Sequence, residues 1–255
     1  MNLRTPSTPT ARSPSWALLG FEPVRAAFEY AGMRLMDQST LPSGDGHAVV
    51  IFPGLASDEK AVAPLKALCR RLGYAAFDWG RGFNTGPQGN VDNWLDALAD
   101  DVVSITREHA APISLVGWSL GGIYAREVAK RLDRQVRQVV TIGTPFAGGA
   151  DRTNVGLVYR LVNSQKPKLT DTLAQRLATA PRVPTTSIFS RSDGVVAWQA
   201  CIQAGRQPQV ENIEVSGSHC GLGWNSDVFR VLADRLRQPE GAWRPYARSR
   251  GGQAV

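Results

Sequence analysis

Cysteine, histidine and long apolar runs are all scarce in this sequence, and each scarcity removes a class of protein. Of 255 residues only three are cysteine, Cys69, Cys201 and Cys220. An odd number without Cys-x-x-Cys spacing supports neither a disulfide framework nor a zinc site, so free thiols are expected. Cys220 follows His219 directly, but adjacent residues on one strand or turn point apart, which favours packing over a Cys–His pair. Histidine is equally rare, with His47, His109 and His219 alone, so any search for a general base is confined to three positions. Nowhere do about eighteen apolar residues run together, and no transmembrane helix is expected. Met1–Ser15 is rich in Pro, Ser and Thr and lacks an apolar stretch of signal-peptide length. It reads as a disordered leader, with a cytoplasmic location as the expectation.

What is present is the composition of an ordinary globular domain, 43% hydrophobic and 20% charged, in a chain long enough for one large α/β domain. The formal net charge is +7. Arginines recur at Cys69–Arg71, Ala129–Arg134 and Trp243–Arg250, with acidic residues between the groups, which points to solvated helix faces and a basic tail rather than a polyanion site. No recognised nucleic-acid motif accompanies the charge, and no nucleic-acid partner is expected.

After the break Leu41–Gly46, the run Ala48–Phe52 is continuously apolar and β-branched, as a strand buried on both faces requires. Val62, Leu65, Leu68 and Leu72 then recur at helical spacing over Asp58–Leu72, with Ser57 or Asp58 available as a cap. The alternation repeats through a strand at Tyr74–Trp79, a helix at Val91–His109, a strand at Ile113–Val116, a helix at Gly121–Leu132 and a strand at Val136–Ile142. Strands at Thr185–Ser190 and Asn212–Val215 and a helix at Val228–Leu236 close the series. Such alternation implies an α/β fold with a predominantly parallel sheet of about six strands and helices on both faces. Residues 1–45 form the leader and N-terminal helix, 46–238 the main domain and 239–255 a tail. Between about 145 and 184 the rhythm breaks into two short helical patterns, Val155–Val162 and Leu169–Ala178, where a small lid insertion is expected. Trp16–Met36 reads as one amphipathic helix with Leu19, Val24, Ala27, Phe28 and Ala31 on the side that packs onto the core.

Gly117-Trp118-Ser119-Leu120-Gly121 matches G-x-S-x-G, the pattern of a serine on a strained strand-to-helix turn whose flanking glycines avoid clashes. Its context fits, since a buried strand precedes it and a helix follows. A serine hydroxyl attacks at neutral pH only if a base takes its proton. His47 and His109 fall at the opposite edge of a parallel sheet from Ser119. His219 falls beyond the C-terminal end of a strand, the rim where open α/β sheets bind ligands. Asp193, just past the penultimate strand, would orient that histidine and gives the chain order Ser, Asp, His. It also fits an Asp-Gly turn, and the two readings are compatible. Asp151 and Asp227 are weaker candidates, one in the lid region and one capping the last helix. Charge developing on an attacked carbonyl oxygen needs fixed N–H donors, for which the backbone amides of Leu120 and Leu55 are the candidates.

With Phe52-Pro53-Gly54-Leu55, Gly117–Gly121, Thr141–Phe146, Ser192-Asp193-Gly194 and Gly217-Ser218-His219 in view, the chain resembles the α/β-hydrolase superfamily. The resemblance is closest to its bacterial lipase and esterase branch and covers roughly Ala48–Leu236. Phe146 stands where many such lipases carry a histidine after Gly-Thr-Pro. The resemblance implies hydrolysis of a carboxylic ester through an acyl-enzyme, with Ser119, His219 and Asp193 as the triad and no metal or organic cofactor. Trp79, Phe83, Trp118, Phe146, Tyr159 and Trp198 lie near loop ends or the lid, either lining an acyl site for a small to medium acyl ester or lipid, or serving as core. The same triad would serve an acyltransferase, thioesterase or amidase, and the scaffold also hosts binding proteins without activity.

Overall fold

The computed structural model describes residues 14–147, 171–205 and 207–247. Among these the strands form one six-stranded sheet, all parallel, in the order β2-β1-β3-β4-β5-β6. The strands are β1 (Ala48–Phe52), β2 (Ala75–Asp78), β3 (Ile113–Trp118), β4 (Val136–Ile142), β5 (Thr185–Phe189) and β6 (Val210–Glu214). The helices are α1 (Trp16–Gly20), α2 (Glu22–Leu35), α3 (Ala63–Arg71), α4 (Val91–Thr106), α5 (Leu120–Leu132), α6 (Asp171–Ala178) and α7 (Ser226–Leu236).

The sheet is covered on both faces because its strands are apolar on both. Val49 and Ile51 of β1 pack into a cluster with Leu65 and Leu68 of α3 and Val228 and Leu232 of α7. Ala48, Val50 and Phe52 point the other way, to Leu95, Leu98 and Val102 of α4 and Tyr124 and Val128 of α5. Each such fully buried Val, Leu or Ile contributes about 2 kcal/mol of transfer free energy. The strand order reverses between β1 and β3, and the crevice outside the C-terminal ends of these strands is the ligand-binding position of open α/β sheets.

Three sequence expectations change. The helix expected from Asp58 begins at Ala63 with Pro64 in its first turn, a position that suits proline because its missing N–H has no helical acceptor there. Asp58 instead accepts from the Lys60 amide at 2.9 Å in a turn. The single helix expected over Trp16–Met36 breaks at Phe21, and its orientation is opposite to the one expected. Glu22, Ala26 and Met33 are buried, whereas Leu19, Val24 and Phe28 (73%) are exposed, as are Trp16 (87%) and Leu35. The acidic face turns inward because the loops beneath it present backbone amides that need acceptors. Finally, the segment after Gln238 is tied down where it is described, with the Arg244 carbonyl accepting from Arg235 Nη1 at 2.8 Å and the Tyr246 amide donating to Glu211 Oε2 at 2.9 Å. Of the lid patterns, α6 corresponds to the second, and the first lies outside the described residues. Among the described residues no helix is long and apolar enough to cross a membrane.

Candidate active site

Ser119 stands between β3 and α5 with φ 53° and ψ −124°. A positive φ in a non-glycine residue costs about 1–3 kcal/mol and persists only where its surroundings enforce it. Here its amide donates to the Ile142 carbonyl at 2.8 Å and its own carbonyl accepts from the Gly122 amide at 3.0 Å. The hydroxyl is not used to cap α5. The turn is possible because its neighbours lack side chains. A Cβ on Gly117 would collide with the backbone of Gly121 and Gly122, and one on Gly121 with the Phe52 carbonyl. Gly121→Ala is therefore expected to destabilise the protein by about 3 kcal/mol or more, with a matching fall in Tm by calorimetry.

Around Ser119 the loops after β5 and β6 converge. Ser119 Oγ lies 3.0 Å from His219 Nε2, and His219 Nδ1 lies 2.7 Å from Asp193 Oδ2. A carboxylate only accepts, so Nδ1 carries the ring proton and Nε2 is left to accept from the serine hydroxyl. Asp193 Oδ1 is also held, accepting from the Val195 and Val196 amides at 2.8 and 2.7 Å. The Asp-Gly turn and the contact to histidine thus coexist on one carboxylate. Burial disfavours the imidazolium of His219, but the Asp193 charge and hydrogen bond, with the Glu22 charge adding, outweigh it and hold the pKa above its ordinary value. Gly143, after β4 at φ 55°, passes so close that a Cβ would lie 3.4 Å from His219 Nδ1.

Leu120 is the first residue of α5, where backbone amides have no acceptor within the helix. The turn Pro53–Leu55 runs directly against the serine, and a Cβ on Gly54 would lie 3.3 Å from Ser119 Cβ. Asn84, fully buried, braces that turn by donating to the Pro53 carbonyl at 2.9 Å and accepting from the Ala56 amide on its own carbonyl at 2.8 Å. Nothing in the sequence around Asn84 signals this role.

The aromatic residues considered for an acyl site separate into different environments. Trp79 is buried in a cluster with Trp94 and Tyr124 and donates to the Gly82 carbonyl at 2.9 Å. Trp118 is buried and donates from Nε1 to the His219 carbonyl at 3.2 Å. Phe146 is buried beneath the Arg126 guanidinium, 3.7 Å from its ring centroid. All three rings are buried. Phe83 is 57% exposed, Trp198 stacks on Phe189 under Arg191, and Tyr159 lies outside the described residues, as does Asp151. Asp227 pairs with Arg230 on α7.

A second arrangement of the same residue types occurs at the other end of the sheet. Asp45 Oδ1 lies 2.5 Å from His47 Nδ1, and His47 Nε2 lies 2.7 Å from Ser114 Oγ. Ser114 sits within β3 with no exposed surface, so no substrate reaches it. Burial, with Arg137 adding, holds the His47 pKa below its ordinary value. Burial, with the Glu22 and Asp193 charges adding, pushes the Cys220 thiol up, Cys69 is pushed up to about 12 and Cys201 is raised as well, which lowers the thiolate share of all three.

The all-parallel sheet flanked by helices agrees with the family comparison. Residues 49–250 fit the alpha/beta hydrolase family, and the chain belongs to that family. Among curated relatives, a pimeloyl-[acyl-carrier protein] methyl ester esterase of Shewanella woodyi is 31% identical over 103 residues, which span 40% of this chain and 37% of that one. Among solved structures, lipase B of Aspergillus fumigatus superposes with a TM-score of 0.56 at 16% identity, over 77% of this chain and 54% of that one. Mouse alpha/beta hydrolase domain-containing protein 10 gives 0.53 at 19% identity, over 79% and 95%. At these identities the structures speak to the fold alone.

Proposed function

We propose that this protein is a serine hydrolase that cleaves a carboxylic ester through an acyl-enzyme. The observation that carries the reading is the chain of contacts that starts at a part-exposed serine, from Ser119 Oγ to His219 Nε2 and from His219 Nδ1 to Asp193 Oδ2. Ser119 Oγ attacks the ester carbonyl carbon as its proton passes to His219 Nε2. Asp193 keeps the imidazole in the required tautomer and stabilises the cation that forms. The backbone amides of Leu55 and Leu120 donate to the oxyanion of the tetrahedral intermediate. Collapse expels the alcohol, which takes the proton from His219 and leaves the acyl group on Ser119. Water then attacks the acyl-enzyme with His219 again as base, and release of the carboxylic acid restores the serine.

The acyl partner we assign is a small to medium acyl ester or lipid. Phe83 is exposed beside Asn84, whose side chain braces the Pro53–Leu55 turn against Ser119, which supports an apolar group on the substrate. The methyl ester esterase among the relatives is named for a substrate of the same bond type. Hydrolysis of p-nitrophenyl esters of increasing acyl length tests the assignment. Activity that peaks at short to medium chains agrees with it, and turnover of no ester at any length opposes it.

The base must be unprotonated to act, and the pKa of His219 is raised above 6.5. Activity is therefore expected to rise with pH along a limb that lies above 6.5 in a plot of kcat/KM. A limb below that value would contradict the direction of the shift.

A further inference from the structure

The sheet fixes the loops after β5 and β6 only as far as the Phe189–Glu214 register and the Val215 amide, which donates to the Phe189 carbonyl. Beyond that point Asp193 and His219 stand on irregular chain. One helix, α2, meets both loops with a single face. Glu22, only 3% exposed, accepts from the Gly194 amide at 2.8 Å and the His219 amide at 2.9 Å on Oε1, and from the Cys220 amide at 3.1 Å on Oε2. Glu29, two helical turns on and so on the same side, accepts from the Ser218 amide at 2.7 Å and from Asn225 Nδ2 at 3.2 Å. Between them Arg25 donates to the Ser192 carbonyl at 2.7 Å and to the Ser192 hydroxyl at 3.0 Å. The Ala26 carbonyl accepts from Trp224 Nε1 at 2.8 Å.

Three consecutive amides, those of residues 218, 219 and 220, thus converge on two carboxylates of one helix. Oriented runs of amides of this kind form anion sites, and here the anions are side chains of the protein. His219 is held on every polar atom. Its N–H goes to Glu22, its carbonyl accepts from Trp118, Nδ1 meets Asp193 and Nε2 meets Ser119. A buried carboxylate that only packed would not be tolerated without such donors. The amides it satisfies belong to both loops that carry the base and its acid.

We propose that Glu22, assisted by Glu29, is a positioning residue that locks the Asp193 and His219 loops into one geometry, which makes α2 a required part of the reaction centre. This rests on the triad reading above. The helix precedes residue 49, where the family match begins, so this support belongs to the N-terminal segment of the chain. The charge of Glu22 also favours the imidazolium.

Among the described residues, the charged and titratable groups that meet His219 or the side chains holding it are Asp193 from the β5 loop, with the Cys201 thiol acting on it, Ser119 from the β3–α5 turn, the Cys220 thiol, and Glu22, Arg25 and Glu29 from α2. Of these only Glu22 changes in Glu22→Gln. Its amide would also turn Nε2 toward a backbone donor, so at least one of the three contacts is lost.

The test uses the full chain, with kcat, KM and the pH profile of ester hydrolysis measured for Glu22→Gln, Glu22→Asp, Glu29→Gln and Ser119→Ala, and folding followed by thermal unfolding. For Glu22→Gln, kcat is expected to fall about tenfold to a hundredfold, with KM within about twofold and the acid limb at lower pH. Glu22→Asp keeps the charge and shortens the reach, so its limb stays near the wild-type position while kcat falls. Glu29→Gln is expected to lower kcat by about threefold to tenfold. A folded Glu22→Gln protein with wild-type kcat and limb would overturn the proposal. Should that variant not unfold cooperatively, Glu29→Gln decides, and wild-type kcat there overturns it equally. Activity retained by Ser119→Ala would instead bring down the triad reading itself, whereas an inactive Ser119→Ala beside unaffected glutamate variants removes the positioning role alone.

Discussion

Replacing Ser119 by alanine is expected to lower kcat for ester hydrolysis by about 10⁴-fold or more, because the members of a nucleophile–base unit act together and the rest of the site retains little catalysis without the nucleophile. Stability is expected to stay within about 1 kcal/mol of wild type. The hydroxyl makes no cap to α5, and the backbone bonds of the turn, from the Ser119 amide to Ile142 and from the Gly122 amide to Ser119, remain in the variant. Alanine meets the same positive φ as serine, so the turn is no more strained. Steady-state kinetics beside a thermal melt separates the outcomes: a large fall in kcat with an unchanged melt supports a nucleophile, and parallel losses in both would indicate a structural role.

Asp193→Asn is expected to lower kcat by about 10⁴-fold, through the tautomer of His219 rather than through lost packing. The argument turns on which way the new amide points. Asp193 Oδ1 accepts from two backbone amides, those of Val195 and Val196, and only the carbonyl oxygen of asparagine can take that place. The NH₂ group is then directed at His219 Nδ1, where a proton already sits in the wild type. The ring responds by carrying its proton on Nε2, which faces Ser119 and can no longer accept from the hydroxyl. The variant keeps the turn and the shape, so substrate binding is expected to change little and KM to stay within a few-fold. A variant with near wild-type kcat would show that Asp193 serves the turn alone.

Much of the framework was legible because the physics behind it is local. A strand buried on both faces must be apolar throughout, and Ala48–Phe52 was readable end to end from that requirement. The serine turn was readable because backbone collision forces glycine at 117 and 121. Histidine scarcity reduced the choice of base to a question of which end of the sheet each one occupies. The bracing of the site was not legible, because it joins residues far apart in sequence. Nothing near Glu22 indicates that its carboxylate meets the amides of Gly194 and His219, 172 and 197 positions away. The apolar stripe of Leu19, Val24 and Phe28 pointed the N-terminal helix the wrong way for the same reason. Hydrophobic periodicity favours burying that stripe, but unpaired amides in two buried loops needed acceptors, and the acidic face supplied them. The second Ser–His–Asp chain, through Ser114, His47 and Asp45, carries a related lesson. Contact geometry alone does not mark a nucleophile, and burial separates the two cases.

The most direct test of the central claim is to treat the folded protein with a fluorophosphonate probe and locate the adduct by tandem mass spectrometry. Ser114 and Ser119 lie on the same tryptic peptide, Glu108–Arg126, so fragmentation within that peptide must assign the site. The account predicts a single adduct on Ser119, formed faster as pH rises through the His219 limb and absent in Ser119→Ala. An adduct on another residue, or no reaction by a protein shown to be folded, would contradict it.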